Sequence, residues 1–331
     1  MTMPSWISRV LEDALEGVSR KELRGRAQAI SDTYRSDGTS TVIRGELDAL
    51  AYATVRMPAT YAAIRASLSF AAAIIPDFAP QSLLDIGAGP GTASWAAQDL
   101  WPSLGRATLI DRNPHLLEIA RRMAAQASLA TDIVLSDVQS TLRDVVVADL
   151  VVAGYALTEL ANDVLPVALK ELWRLARGML VIVEPGTPQG FARILACRDQ
   201  LIAGGGHIVA PCSHVAVCPL RSAARWCHFS ERLPRSRAHL FAKEGALSFE
   251  DERFSYLAVA KGMPTQKQYR RILATPRVTK GEITLSLCAP EKVEERIIPR
   301  RDKAAYKAAK DYGWGDAIIL GDPTPRPARV L

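Results

Sequence analysis

Leu83-Leu84-Asp85-Ile86-Gly87-Ala88-Gly89-Pro90-Gly91-Thr92 passes from an apolar run into three closely spaced glycines and on into an amphipathic stretch. Such a run builds a strand, a tight turn and a helix. Glycine accepts the positive φ of a sharp turn and, lacking Cβ, lets the backbone approach a ligand closely. The alternation continues outward. Apolar runs at 82–86, 107–110, 132–135, 149–153 and 179–183 read as strands, and 92–100, 116–127 and 164–176 read as helices between them. Near-continuous apolar strands separated by helices predict buried parallel strands, and so an α/β fold with a doubly wound, Rossmann-like sheet.

The flanks read differently. Residues 4–75 are predicted helical: Trp6, Val10, Leu11 and Leu15 keep helical spacing, and Ser19 with Glu22 resembles a capping box. A break is expected at 36–40, and Pro58 should start or kink a helix within 45–75. Beyond Pro185 we expect a helix over 189–203 and an irregular segment bearing cysteine and histidine over 204–230. Short strands are expected at 254–260, 271–274 and 282–288, and a helix over 303–311. Composition therefore divides the chain into a helical N-terminal region (1–78), a nucleotide-binding core (79–190) and a cysteine-rich, basic region (191–331).

Alone, G-x-G-x-G is shared with dinucleotide-binding folds. Three acids narrow the reading. Asp85 lies two residues before Gly87, Asp111 ends the second strand where it could meet ribose hydroxyls, and Asp137 follows the third strand, where it could accept from an adenine amino group. With Gly87, Gly89 and Gly91 this set resembles the motifs of class I S-adenosylmethionine-dependent methyltransferases. A dinucleotide is the alternative ligand, and each acid taken singly could instead cap a turn or helix or sit on the surface.

Methyl transfer from a sulfonium to a nucleophilic acceptor needs alignment more than acid–base chemistry. After the fourth strand, amino-group methyltransferases usually carry an Asn/Asp-Pro-Pro-aromatic turn. Here the place reads Gly154-Tyr155-Ala156-Leu157-Thr158-Glu159. Tyr155 could stack on a base and Glu159 could accept a proton, and both could equally serve packing or capping. Pro211-Cys212 imitates the Pro-Cys pair of cytosine-carbon methyltransferases but follows the fifth strand, too late in the chain for that role.

Five cysteines occur in 331 residues: Cys197, Cys212, Cys218, Cys227 and Cys288. Three fall within sixteen residues of an irregular segment. Four thiolates satisfy either a structural Zn²⁺ or an iron–sulfur cluster, and the spacing does not choose between them. His207, His214 and His228 are near enough in sequence for a mixed zinc site. Cys197 falls inside a predicted helix beside Leu195 and reads as a small buried residue.

Acidic residues in the first 24 positions argue against a secretory or transit peptide, and no apolar run reaches the roughly 18 residues of a membrane span. A cytoplasmic, monomeric protein is expected. Net charge is +6, but residues 221–310 hold 20 Lys+Arg against 10 Asp+Glu, a balance of +10, which leaves −4 elsewhere. A basic C-terminal third points to a polyanion, with nucleic acid first.

Further stretches carry a more specific likeness. Arg56-Met57-Pro58-Ala59-Thr60-Tyr61, the glycine loop, Ala210-Pro211-Cys212-Ser213-His214, Cys218-Pro219 and Trp226-Cys227-His228-Phe229 are among them. So are Arg235-Ser236-Arg237 and the run from Glu250 to Tyr256. Together, over about 45–290, they resemble the methyltransferase-like family associated with the small subunit of mitochondrial ribosomes, of which this chain would be a bacterial relative. The resemblance implies a class I methyltransferase fold and a [4Fe–4S] cluster on Cys212, Cys218, Cys227 and Cys288. It also implies small-subunit ribosomal RNA as partner, in assembly or as a methylation substrate. On that reading Arg221, Arg225, Arg232, Arg235, Arg237 and Lys243 would meet phosphate. Two alternatives stand beside it: an active RNA methyltransferase whose acceptor is set by Tyr155 and Glu159, and a zinc-stabilised methyltransferase of a protein or small molecule.

Overall fold

Strand β1 (Ser82–Ile86) is buried along its whole length, as an uninterrupted apolar run requires when both sheet faces are covered. It lies parallel to β2 (Arg106–Asp111) on one side and to β4 (Ala148–Gly154) on the other. β3 (Ala130–Leu135) pairs in parallel with β2 and is partly exposed, as its mixed composition allows. The order β3-β2-β1-β4 is that of a doubly wound sheet. This computed structural model describes residues 2–35, 40–137, 145–243, 247–262 and 268–320.

The chain forms two compact units that interleave along the sequence. The first comprises 1–66, 79–177 and 231–252; the second comprises 67–78, 178–230 and 253–331. In the first unit, helices α1 (Ser5–Ala14), α2 (Arg20–Arg35), α3 (Glu46–Val55) and α4 (Met57–Ala72, whose last turns belong to the second unit) precede the sheet. The α3–α4 break falls at Arg56, two residues before Pro58, which sits in the first turn of α4, where a missing N–H costs nothing. The expected break at 36–40 lies largely outside the described residues. Helix α5 (Thr92–Leu100) follows β1, and α6 (Pro114–Ala124) follows β2, capped by Asn113. Helix α7 (Leu165–Leu175) follows β4. Leu23, Ala27 and Ile30 of α2 pack with Ala51 and Val55 of α3 and with Ala242 of α9 (Arg237–Lys243).

The second unit departs from the all-parallel expectation. β5 (Ala176–Pro185) pairs antiparallel with β8 (Phe249–Ala260), and β8 pairs antiparallel with β6 (His207–Ala210). β6 lies inside the segment expected to be irregular, and α8 (Pro188–Ala203) leads into it. β7 is Phe229–Pro234. A second sheet has the order β10-β11-β9-β13, with β12 also on β11. Its strands are β9 (Tyr269–Ile272), β10 (Arg277–Val278), β11 (Glu282–Ala289), β12 (Lys292–Pro299) and β13 (Ala317–Ile319). Ile272, Ile283, Leu285, Leu287 and Ile298 form its core, together with Ala309 of α10 (Lys303–Ala309) and Tyr312. Among the described residues no helix is long and apolar enough to cross a membrane.

Candidate cofactor loop and four-cysteine centre

The glycine loop belongs wholly to the first unit. Gly87, Gly89 and Gly91 adopt φ of +64°, +53° and +82°. A Cβ on Gly87 would stand 2.6 Å from Cβ of Ala156, and one on Gly91 would stand 2.8 Å from the Trp95 ring. Glycine is therefore required twice over at both positions, for its backbone angle and for its missing side chain.

The acids do not all face outward. Asp85 is buried and accepts from Ser94 N (3.0 Å) and Ser94 Oγ (2.8 Å), so it latches the glycine turn to the first turn of α5. Any cofactor role of Asp85 acts through the loop it holds. Asp111 uses Oδ2 to accept from Gly89 N (2.8 Å) and Oδ1 to accept from Asn113 N (2.7 Å). A carboxylate offers about four acceptor sites, so Asp111 keeps capacity for a ligand hydroxyl while shaping the loop. Burial raises its proton affinity, which the two backbone donors partly offset. Asp137 is exposed just past β3. Ser94 and Asn113 were not apparent from the motif, although each lies two or three residues from a residue that was.

Burial lifts the Asp85 carboxyl from 3.8 to about 7, against the pull of the two Ser94 bonds. The folded state thus favours the neutral acid. That contribution to stability is complete below the unfolded value, falls as pH rises, and is lost once pH passes the folded value of about 7. Over the whole range it amounts to about 4 kcal/mol at 1.36 kcal/mol per unit. Asp85→Asn should therefore flatten the fall in stability between pH 4 and about 8, read by urea unfolding at several pH values. An unchanged slope would contradict it.

The turn after β4 carries the two acceptor-site candidates. Tyr155 adopts φ +59°, strained for a bulky residue. Its hydroxyl donates to Glu252 Oε1 at 2.9 Å, and Arg56 approaches the same oxygen at 3.8 Å. Glu159 is ion-paired with Arg112 at 2.9 Å. Both candidates are thus half-buried members of polar networks within the first unit.

Four of the five cysteines, all in the second unit, converge. Cys212, Cys218, Cys227 and Cys288 line one cavity; otherwise its walls are apolar apart from Ser255, Tyr256 and Arg198, and no carboxylate lines it. Each cysteine is positioned through its own carbonyl. Tyr269 Oη lies 2.8 Å from Cys212 O, Arg221 N donates to Cys218 O (3.1 Å), Ser255 Oγ donates to Cys227 O (2.8 Å), and Ser213 Oγ donates to Cys288 O (3.4 Å). These anchors fix the backbone from which the four cysteines line the cavity. Burial pushes the Cys288 thiol up to about 12 and that of Cys227 well above its ordinary value, with the neighbouring thiols adding to both. Cys197 is fully buried in α8 and is not among the cavity-lining residues. His214 Nε2 lies 3.5 Å from Cys288 Sγ, whereas His228 stacks on Trp226 and meets the Trp314 ring edge-on.

Among the described residues no three Cys, His, Asp or Glu side chains are placed, as they stand, to hold one metal ion. Free space inside the ring is about 20 Å³, room for one water. A larger group would have to spread the thiols. The donor chemistry nonetheless fits a thiolate-bound centre, since four thiols share a cavity that no acid lines. A single Zn²⁺ with Zn–S near 2.3 Å would draw all four sulfurs to about 3.8 Å of one another. A [4Fe–4S] cluster takes one thiolate per iron and leaves them further apart.

The basic residues are less free than their charge suggests. Arg221 is paired with Asp199 (2.8 and 2.5 Å), Arg232 with Asp251 (2.7 and 2.9 Å), and Arg235 with Glu250 (3.1 Å). Arg225 is exposed. The side chains of Arg237 and Lys243 lie outside the described set. Arg221 and Arg225 belong to the unit that carries the cysteines, and Arg232 and Arg235 to the other.

The family model described as mitochondrial small ribosomal subunit Rsm22 matches residues 46–319, a span that includes the glycine loop and all four cavity cysteines. A human protein, the mitochondrial ribosome assembly protein METTL17, is 26% identical over 336 residues, covering 96% of this chain and 70% of its own length. The mitochondrial Rsm22-cox11 tandem protein 2 of Schizosaccharomyces pombe is 25% identical over 91% of this chain, which spans about half (47%) of that relative. Among solved structures, magnesium protoporphyrin IX methyltransferase from Synechocystis PCC 6803 overlaps 70% of this chain and 90% of its own at 14% identity. Its TM-score is 0.40, too loose for chemistry to be carried over.

Proposed function

The chain belongs to the mitochondrial small ribosomal subunit Rsm22 family, and from that premise we propose that it assists assembly of the small ribosomal subunit. In this reading the glycine loop binds S-adenosylmethionine, and the four cysteines hold a [4Fe–4S] cluster. The observation that carries it is the convergence of four thiols from three separate chain segments on one cavity without an acid. The assembly role is taken from the human relative, whose name states it.

Cys212, Cys218, Cys227 and Cys288 would hold the cluster, which, when bound, supplies a covalent tie among those segments. Gly87, Gly89 and Gly91 shape the nucleotide loop, and Asp111 holds Gly89 while offering its remaining acceptor sites to a ribose. The pairing of Tyr155 with Glu252 and of Glu159 with Arg112 favours a binding role over turnover, because neither side chain is poised for proton transfer. The partner in this reading is small-subunit rRNA, contacted through phosphate.

Anaerobically purified protein should contain iron and sulfide and absorb broadly in the visible. Precursor subunits incubated with labelled S-adenosylmethionine should leave their rRNA unlabelled, and label that depends on Gly87 would overturn the binding-only part. Arg225→Gln should reduce the slope of log affinity for rRNA against log salt by about one. An unchanged slope removes Arg225 from the interface.

A further inference from the structure

Two buried cations stand at the four-cysteine cavity. Arg198, 2% exposed, lines it, and Arg271, 0% exposed, faces Cys288 across the β9–β11 pairing. Arg198 Nη2 donates to the carbonyls of His214 (2.9 Å) and Ala216 (2.8 Å), on the loop between Cys212 and Cys218. Arg271 donates Nε to the Pro211 carbonyl (3.1 Å), next to Cys212, and Nη1 to that of Gly315 (2.8 Å). Both guanidiniums therefore grip the backbone that positions the thiols.

Carbonyls solvate a cation without neutralising it. Arg198 Nε and Arg271 Nη2 have no hydrogen-bond partner in the protein. Asp199 reaches Arg198 only at 3.8 Å, is 47% exposed, and is held more closely by Arg221. Arg271 feels one carboxylate, the buried Asp316, which also accepts from Gly313 N at 2.6 Å. Burying two cations beside four thiols, with one carboxylate at 3.8 Å and one shared with the backbone, is costly. Four neutral thiols do nothing to offset it.

Four thiolates would. On a [4Fe–4S]²⁺ core, or on one Zn²⁺, they leave a net charge of −2, which two guanidiniums cancel. Resting on the reading that these cysteines hold such a centre, we infer that Arg198 and Arg271 are its buried counter-charges. They stabilise the loaded centre and, for a cluster, raise its reduction potential. One-electron reduction takes the charge from −2 to −3, so fixed positive charge favours the reduced state.

The test uses the full chain purified without oxygen. Iron, sulfide, loss to a chelator and the midpoint of an EPR-monitored redox titration are compared for wild type, Arg271→Met, Arg271→Lys and Arg198→Met. Both Met variants should show a more negative midpoint and lose the centre roughly tenfold faster. Arg271→Lys, which keeps the charge but not the two-carbonyl grip, should keep a midpoint near wild type. If Arg271→Met fails to fold, Arg198→Met carries the same comparison. Met variants with wild-type midpoint and retention overturn the inference. So does a Lys variant shifted as far as Met, since the role would then be steric. A wild type holding neither iron nor zinc overturns the centre itself, and this inference with it. A wild type holding zinc leaves chelator loss as the readout, with the same order expected.

Discussion

Cys227→Ser is expected to strip the purified protein of iron, sulfide and visible absorption, while Cys197→Ser leaves all three at wild-type levels. The two residues are thirty positions apart (227 − 197) and both are free thiols, but their surroundings differ. Cys227 lines the shared cavity, and its carbonyl is pinned by Ser255. Serine keeps the shape and removes the soft donor that iron requires. Cys197 sits fully buried in α8, outside that lining. There a hydroxyl costs about 1–3 kcal/mol of stability, less if it bonds back to the helix carbonyl four residues earlier. Retention of iron in Cys227→Ser, or its loss in Cys197→Ser, would overturn the ligand assignment. A single zinc in place of iron, lost with Cys227, would keep the ligands and change the metal.

The glycine loop yields the second large effect. Gly87→Ala and Gly91→Ala each impose a left-handed backbone on an L-residue, which costs about 1–2 kcal/mol. Each also drives a methyl into a neighbour at 2.6 or 2.8 Å, where overpacking adds about 1–3 kcal/mol. A loss of about 2–5 kcal/mol is expected for both in urea unfolding. Gly89→Ala should cost only the backbone share, about 1–2 kcal/mol, because its new methyl meets Leu116 at an ordinary 3.7 Å. Affinity for S-adenosylmethionine, measured by calorimetry, should fall for Gly87→Ala and Gly91→Ala more than for Gly89→Ala. Equal losses at all three positions would mean that the contacts to Ala156 and Trp95 do not set the loop.

The β1–turn–α5 unit was readable because its signals are local: an apolar run, glycines at fixed spacing and an amphipathic stretch. Pro58 marked a helix start for the same reason. The hairpin of β11 and β12 was only half legible. Its turn, Ala289-Pro290-Glu291-Lys292, places Glu291 at φ +66° without the glycine or asparagine that usually marks such a turn. Half of β12 is charged and half of it is exposed, with no apolar alternation to betray it. β6 is four residues long and was hidden by the cysteines and histidines around it. The cysteine set could be named from sequence, but not the side chains that serve it. Arg271 reads as one more positive charge in a basic region until β9 buries it completely. The ion pairs of the basic stretch were not legible either: Arg221 meets Asp199 of α8, and Arg232 and Arg235 meet Asp251 and Glu250, 19 and 15 residues further along.

The cysteine ring also has a direction in time. Cys212, Cys218 and Cys227 leave a ribosome close together, but Cys288 follows only after a further 61 residues (288 − 227). A nascent chain can therefore present three thiols well before β11 exists, and a three-thiol site can be emptied or misloaded while it waits. Closing a loop of 76 residues (288 − 212) against its own entropy costs about 4 kcal/mol, from (3/2)RT ln n. That cost is met by whatever ties the two ends. If the four cysteines hold the proposed centre, its loading is a late step that reports on whether the chain has been synthesised through β11.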